Sequence, residues 1–558
     1  MVRQISTYSR SFVRTKDLGA ESFLHEIMRW SWIAFILCVI YQLIFFLDLV
    51  NVMAMASVGL AWAITAKFIL QPSLLERYPF SMFLLFGFTT TQFYFPLIFT
   101  CLEGKSLLFN LDVPELVFLH SLAALFVLLL SHSFYRLLSR LSGKRSFSIL
   151  ERTGFFTPPS ERQLWLMGII GIAAAYYVYF TTPTAEEGRE VTGEASDKFI
   201  QGFLPFQYAP FFIPLSRLFG GNEVDLKKVG PLLIGYTVAL FAISVGRNST
   251  GAFMFGFTAV AFGYAIGLML GIYKAKLFTL KNAVILALGG WLLVGPMADL
   301  RTAMVNVRDQ RTNVSAMEML NLTLEAFQDK EAIEERRLYD ENQDSEWDER
   351  YLSNVFTARF ANIKFNDINL VQALEVRAHD PDMLNFSKDY LLGGLPSPFL
   401  KALNIDVDKD AVYGLSIGDY LYLAAGGYGV ANAYRSGHFA GTGMAAFGWY
   451  YLLILGVGMV FIFYLFDKFY MIKYLPGSSP DQPKRKIFLF SFCGLLALNS
   501  IFLYTSSLQT VVQIGTFLYR GWLQLALLYF LVFHFTRIFS GSFMKDSELV
   551  KTLKRFKI

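Results

Sequence analysis

Runs of about twenty apolar residues, separated by short polar clusters, recur along most of this chain, and each is long enough to cross a hydrocarbon core of about 30 Å. They predict helical spans near 29–49, 51–70, 79–100, 114–134, 163–181, 199–218, 230–246, 251–272, 282–298, 442–466, 487–505 and 520–539. The sixth run carries Pro205, Pro210 and Pro214, which suit a re-entrant segment as well as a kinked helix. The expected fold is all-α: a polytopic transmembrane helical bundle of about twelve spans. The pattern changes over 299–441, which is polar but not featureless. Ser315-x-x-Glu318 has the spacing of a capping box and opens a stretch with Met317, Leu320, Leu324 and Phe327 at helical intervals. A second helical pattern runs from about 351 to 376, and a Gly-rich stretch over 414–448 leads back into apolar sequence. The chain therefore divides into 1–298, 299–441 and 442–558: nine spans, one large partly helical loop, then three spans and a basic tail.

Composition agrees with a membrane protein. Of 558 residues, 54% are hydrophobic and only 17% charged, against about 25% charged in a typical soluble domain. The net charge of +5 is too small to suggest a nucleic-acid partner. The placement of the basic residues says more. Arg3, Arg10, Arg14 and Lys16 precede the first span, and Arg136, Arg140, Lys144 and Arg145 follow the fourth. Lys274, Lys276 and Lys281, then Lys484, Arg485 and Lys486, then Lys551, Lys554 and Arg555, mark the same side farther on. By the positive-inside tendency both termini are cytoplasmic and the 299–441 loop is extracytoplasmic. Cys38, Cys101 and Cys493 are scattered, with neither a disulfide framework nor a zinc spacing, and the first span reads as an uncleaved signal anchor.

Four places carry candidate chemistry. Arg247 sits in a short turn, Ser244-Val-Gly-Arg-Asn-Ser-Thr-Gly251, between two apolar spans. There it can pair with phosphate, though a snorkelling interfacial arginine is the plainer reading. Arg301, Arg308 and Arg311 are spaced to share one helix face above the membrane, a cationic surface for a diphosphate or anionic headgroups. The plainer reading is a solvated face balanced by Asp299 and Asp309. Arg359 lies among Phe356, Phe360 and Ile363, with Arg377 and His379 downstream, and a structural ion pair is its alternative. Arg435 and His438 stand at the mouth of the Gly-rich re-entry, where His438 is a candidate base or hydrogen-bond donor, or simply a satisfied polar residue. No Walker A loop, HExxH, Cys/His metal spacing or Gly-x-Ser-x-Gly elbow occurs, so no metal or cofactor is expected. The spans also show no buried Asp/Glu/Lys relay of the kind expected in an ion-coupled transporter.

Three segments resemble the bacterial O-antigen and exopolysaccharide repeat-unit polymerases, a group related to the O-antigen ligases. The Ser244–Gly251 turn, with Gly263 sixteen residues beyond Arg247, is similar to the family's arginine-bearing outer turn. Leu391-Leu-Gly-Gly-Leu-Pro-Ser-Pro-Phe399 resembles its loop segment ending in proline, and Gly437-His-Phe-Ala-Gly-Thr-Gly-Met-Ala-Ala-Phe-Gly448 its re-entry. The family's acidic residue after the re-entry glycine is absent, and the second arginine–glycine spacing, from Arg435 to Gly448, is two residues longer than the family's, which leaves a role for Arg435 in doubt. The resemblance implies a membrane glycosyltransferase at the outer face of the bacterial cytoplasmic membrane. It would join polyprenyl-pyrophosphate-linked oligosaccharides into surface polysaccharide, in contact with membrane lipids and with a chain-length regulator and a flippase as further partners. It implies Arg247 and His438 as catalytic residues, and Arg247, Arg301, Arg308, Arg311, Arg359 and Arg435 as substrate-binding ones. An O-antigen ligase-like transferase, or a transporter or flippase of lipid-linked oligosaccharides, is the alternative.

Overall fold

A computed structural model describes residues 18–141, 149–180, 199–246, 248, 250–275, 279–310, 314–342, 347–428, 435–475 and 485–540. The described residues are mostly helical, and the sheet among them is one antiparallel pair, Tyr470–Leu475 with Arg485–Phe490. Among the described residues, eight helices are long and apolar enough to cross a membrane: Glu21–Phe45, Leu49–Ile69, Pro79–Leu102 (α1), Pro114–Leu141 (α2), Leu226–Gly246, Leu280–Asn306, Phe439–Asp467 and Gln513–Phe539.

The other expected spans take different forms. Glu161–Phe180 and Thr250–Met269 (α3) are continuous helices. The run at 199–218 is instead a 3-10 helix, Leu204–Phe219, containing Pro210 and Pro214. Proline lacks the N–H that an α-helix interior needs, and its ring crowds the preceding turn. It packs closely on Glu161–Phe180, where a Cβ at Gly171 would lie 2.0 Å from the Gln207 nitrogen. The run at 487–505 begins in the strand Arg485–Phe490 and continues as two short helices, Phe492–Leu496 and Leu498–Phe502.

The core is rich in phenylalanine, and α1 is the most enclosed of the long helices. Near its middle, Thr90–Tyr94 widens into a π-turn, in which the Phe95 N–H bonds back to the Thr90 carbonyl. A π-turn leaves one main-chain carbonyl without its usual partner, and such turns concentrate at functional places in helices. Here the freed carbonyl is that of Thr91, and it accepts from the N–H of Asn362, a residue of the large loop, at 3.2 Å.

The loop therefore enters the bundle. Its first two helices, Ala316–Gln328 and Lys330–Asn342, remain peripheral. The capping box forms as expected: Glu318 N–H donates to Ser315 Oγ at 3.3 Å, and Ser315 N–H to Glu318 Oε2 at 2.8 Å. The next stretch descends along the end of α1. Ser353 and Asn354 donate their N–H groups to Glu103, and the Tyr351 hydroxyl donates to the Leu107 carbonyl. The expected helix over 351–376 is broken at 359–362, into Val355–Ala358 and Ile363–Val376 (α5). Between α3 and α5 in sequence lies Pro296–Asn306 (α4), the C-terminal part of the Leu280–Asn306 helix. The re-entry helix Phe439–Phe447 (α6) lies across α5, so closely that a Cβ at Gly441 would lie 2.3 Å from the Asn369 main chain. Gly448, at φ +54°, ends that helix in the left-handed region, where residues without a Cβ are most at ease.

Candidate functional site

α5 carries polar side chains on a face that a membrane-facing helix would fill with leucine. Asn362, Asn366 and Asn369 fall at intervals of four and three, on one helix face, and all are buried. Asn366 Nδ2 donates to Ser121 Oγ at 3.0 Å in α2, and Asn369 Nδ2 to the Ser436 carbonyl at 3.0 Å. Asn362 Nδ2 donates to the Ser506 carbonyl at 3.3 Å, and Ser506 Oγ meets Thr91 Oγ1 at 2.6 Å. The same outer segment receives α6: the Phe439 N–H donates to the Leu508 carbonyl, and Thr442 Oγ1 to that of Gln509. Residues 506–509 thus tie the entering loop and the re-entry helix together. A buried ion pair completes the junction. Lys364 Nζ lies 2.8 Å from Asp367 and 3.3 Å from Asp112. Asp367 Oδ1 also accepts the N–H groups of Asp112 and Val113, just before α2 begins at Pro114.

Arg359 stands immediately outside this polar seam. It is exposed, yet protein crowds it enough for desolvation to lower its pKa from the ordinary guanidinium value. A guanidinium keeps its charge near neutral pH even where protein partly desolvates it. No carboxylate pairs with it among the described residues. Its neighbour Phe360 packs edge-on against Phe95 of α1, Phe262 of α3 and Phe502.

The other sequence candidates are dispersed. Arg247 and Arg311 lie outside the described residues. Beside Arg247, Asn248 is buried at φ 61°, and its side-chain amide donates to the Met304 carbonyl and, at 3.7 Å, to Met319 Sδ. Asn248 is thereby held under α4 and Ala316–Gln328. Phe262, which touches Phe360, is twelve residues past Thr250 in α3, or about 18 Å of helix rise. Phe360, next to Arg359, therefore packs far along α3 from the end that begins at Thr250. The shared helix face expected for Arg301 and Arg308 is also interrupted, because α4 ends at Asn306 and Arg308 opens a separate 3-10 turn. Arg301 is half-buried and engaged, whereas Arg308 is exposed. Asp299 does not balance them: it pairs with Lys330 and Arg337, each at 2.7 Å.

Arg435 is committed to Asp419, which is fully buried, at 2.9 Å, and stacks over Tyr422 with 3.9 Å from guanidinium carbon to ring centre. His438 is 1% exposed and caps α6, its Nδ1 accepting the Ala440 N–H at 3.3 Å. Nδ1 must then be unprotonated, so the neutral ring carries its hydrogen on Nε2. Burial pushes its pKa down to about 3, helped by the neighbouring His120. Nε2 has no partner among the described residues. This arrangement favours the hydrogen-bond donor over the base and gives His438 a positioning task at the start of α6.

At the opposite end of the bundle, the fully enclosed Asp467 accepts from Ser81 Oγ at 2.7 Å, and Ser81 Oγ meets His132 Nε2 at 3.1 Å. A buried carboxylate inside a span was not expected from the sequence. Among the described residues, no group of three His, Cys, Asp or Glu side chains is placed to hold a metal ion. The chain matches no protein-family model, no curated protein and no solved structure.

Proposed function

We propose that the chain is a membrane glycosyltransferase that extends surface polysaccharide from polyprenyl-pyrophosphate-linked repeat units. The observation that carries this reading is Arg359: an exposed but partly desolvated cation, without a carboxylate partner among the described residues, in the loop that enters the bundle. In such a transfer, a sugar hydroxyl of one lipid-linked unit takes the place of the diphosphate at the anomeric carbon of the other. The leaving diphosphate gathers negative charge, and a fixed cation in a partly dry site stabilises that charge far better than water-screened lysine would.

Two substrates bring two diphosphates. Arg359 and the Arg301 and Arg308 segment suit two anion-holding points, to which Arg247 and Arg311, outside the described residues, would add. In this reading the chain has about twelve membrane crossings, counting the irregular 199–218 and 487–505 segments, with the loop on the outer side. Side-chain pairs support that sidedness. Lys473–Glu151 and Lys486–Glu76 gather the basic loops at one end, while Glu103, Asp112 and the entering loop meet at the other. The chain would reside in a bacterial cytoplasmic membrane with both termini inside.

The test is Arg359→Ala in the source cells. The expected result is normal protein level with the glycan ladder collapsed to single repeat units; an unchanged ladder overturns the reading. Transport of lipid-linked glycan is the second reading, favoured by the enclosed Asp467, since ionisable side chains within spans commonly mark transport paths. If Asp467→Asn, and not Arg359→Ala, abolishes the appearance of lipid-linked units outside, transport replaces transfer.

A further inference from the structure

Two of the three cysteines, distant in sequence, meet in the fold. Cys38 lies in the Glu21–Phe45 helix and Cys101 next to the end of α1. The Cys101 thiol donates to the Cys38 carbonyl oxygen at 3.7 Å. Both residues are half-buried, unlike Cys493, which is enclosed. Their depth is fixed by the residues one turn farther out. Gln42 Nε2 donates to the Lys105 carbonyl at 2.9 Å and also to Cys101 Sγ at 3.4 Å. Glu103 and Lys105 pair at 2.9 Å beyond the helix end, on the side where the large loop docks. The thiol pair therefore lies about one helical turn, roughly 5 Å, below that surface.

We propose that Cys38 and Cys101 form a disulfide that fastens the first long helix to α1 beneath the entering loop. A thiol already seated on the main chain of the other cysteine needs little backbone movement to reach disulfide geometry. The extracytoplasmic side, to which charge placement assigns this end of the bundle, is an oxidising compartment.

The oxidant is the disulfide of a thiol oxidoreductase. The Gln42 amide donates toward Cys101 Sγ, favouring its thiolate as the first nucleophile. That thiolate, its proton lost to solvent, attacks one sulfur of the oxidant and releases the other as a thiolate. Cys38, also deprotonated, then attacks the Cys101 sulfur of the mixed disulfide. The Cys38–Cys101 bond forms and the second thiolate of the oxidant departs, so the oxidant gains the two electrons that the cysteine pair gives up. The inference does not depend on the glycosyl-transfer reading; it depends on which side of the membrane this end of the bundle faces.

Thiol counting on the full chain tests it. Membranes from the source cells are dissolved in SDS, and free thiols are tagged with a polyethylene-glycol maleimide before and after reduction. One tag before reduction, at Cys493, and three afterwards is the expected result. Cys38→Ser and Cys101→Ser should each show two tags both before and after reduction, because the partner is released. Three tags on the wild-type chain before reduction, or a reducible dimer instead of an intramolecular bond, overturns the inference. So does a single tag before reduction in either variant, which would mean that the thiols are blocked by something other than each other.

Discussion

The N–H of Asn362 donates to the carbonyl of Thr91 at 3.2 Å, joining the large loop to the middle of the most enclosed membrane helix. The carbonyl is free because the helix takes a π-turn there, so local backbone geometry and loop docking depend on each other. Asn362→Ala keeps the main-chain bond and loses only the side-chain bond to Ser506, costing about 1 kcal/mol. Asn362→Pro removes the N–H and leaves a buried carbonyl unpaired, which costs about 1–3 kcal/mol more. Thermal unfolding of purified protein in detergent should rank wild type above Ala above Pro. Equal midpoints for the two variants would show that the Thr91 contact contributes nothing.

Asp367 holds three partners at once: the Lys364 ammonium and the N–H groups of Asp112 and Val113. Asp367→Ala leaves the enclosed Lys364 with only the more distant, solvent-exposed Asp112, and breaking a buried pair from one side costs up to about 3–5 kcal/mol. Replacing both members, as Lys364→Met with Asp367→Leu, should recover part of that loss, because no uncompensated charge remains. The comparison of single and double variants by unfolding midpoint decides it; a double variant worse than Asp367→Ala would sink the argument.

Arg359 and Arg435 should behave oppositely. Arg435 neutralises the buried Asp419 and stacks on Tyr422, so Arg435→Ala is expected to lower the yield of folded protein. Arg359 is open and has no carboxylate partner among the described residues, so Arg359→Ala should leave yield within a few tens of per cent while shortening the glycan. Arg359→Lys keeps the charge but not the planar fork and should restore the ladder only in part. Immunoblot and glycan gel on the same cells separate the two roles.

His438 predicts a pH dependence. Its pKa is about 3 in the fold and about 6.5 in an unfolded chain, so between these values the unfolded state binds a proton that the folded state refuses. Stability is therefore lost as pH falls from about 6.5 toward 3, by up to about 1.4 kcal/mol per unit from this residue. His438→Asn keeps an N-cap acceptor for Ala440 and should flatten that part of the profile. Unfolding measured at several pH values between 7 and 4 checks it; identical slopes for the two proteins would exclude the assignment.

What was legible in the sequence was local. Twenty apolar residues in a row declare a helix, and Ser315 with Glu318 declares its cap, because each signal and its partner lie within a turn or two. The polar seam of α5 was not legible, although three asparagines at helical spacing were in plain view. Their partners Thr91, Ser121, Ser436 and Ser506 come from four distant stretches, and an isolated reading assigns such asparagines to solvent. The same reason hid the Arg435–Asp419 pair and the Cys38–Cys101 contact. Asp467 ends its apolar helix, and only the fold reveals Ser81 and His132 beside it. At 199–218 the prolines gave the warning, and the backbone followed them.

The meeting of Thr91 with Asn362 also has a cost in time. About 270 residues separate them, and at roughly 5–20 residues per second a ribosome needs tens of seconds to make that length. Throughout that interval the loop that meets the π-turn of α1 does not yet exist. The nascent helix must wait in an incomplete environment, and the π-turn and the docked loop can settle together only once residue 362 has been made.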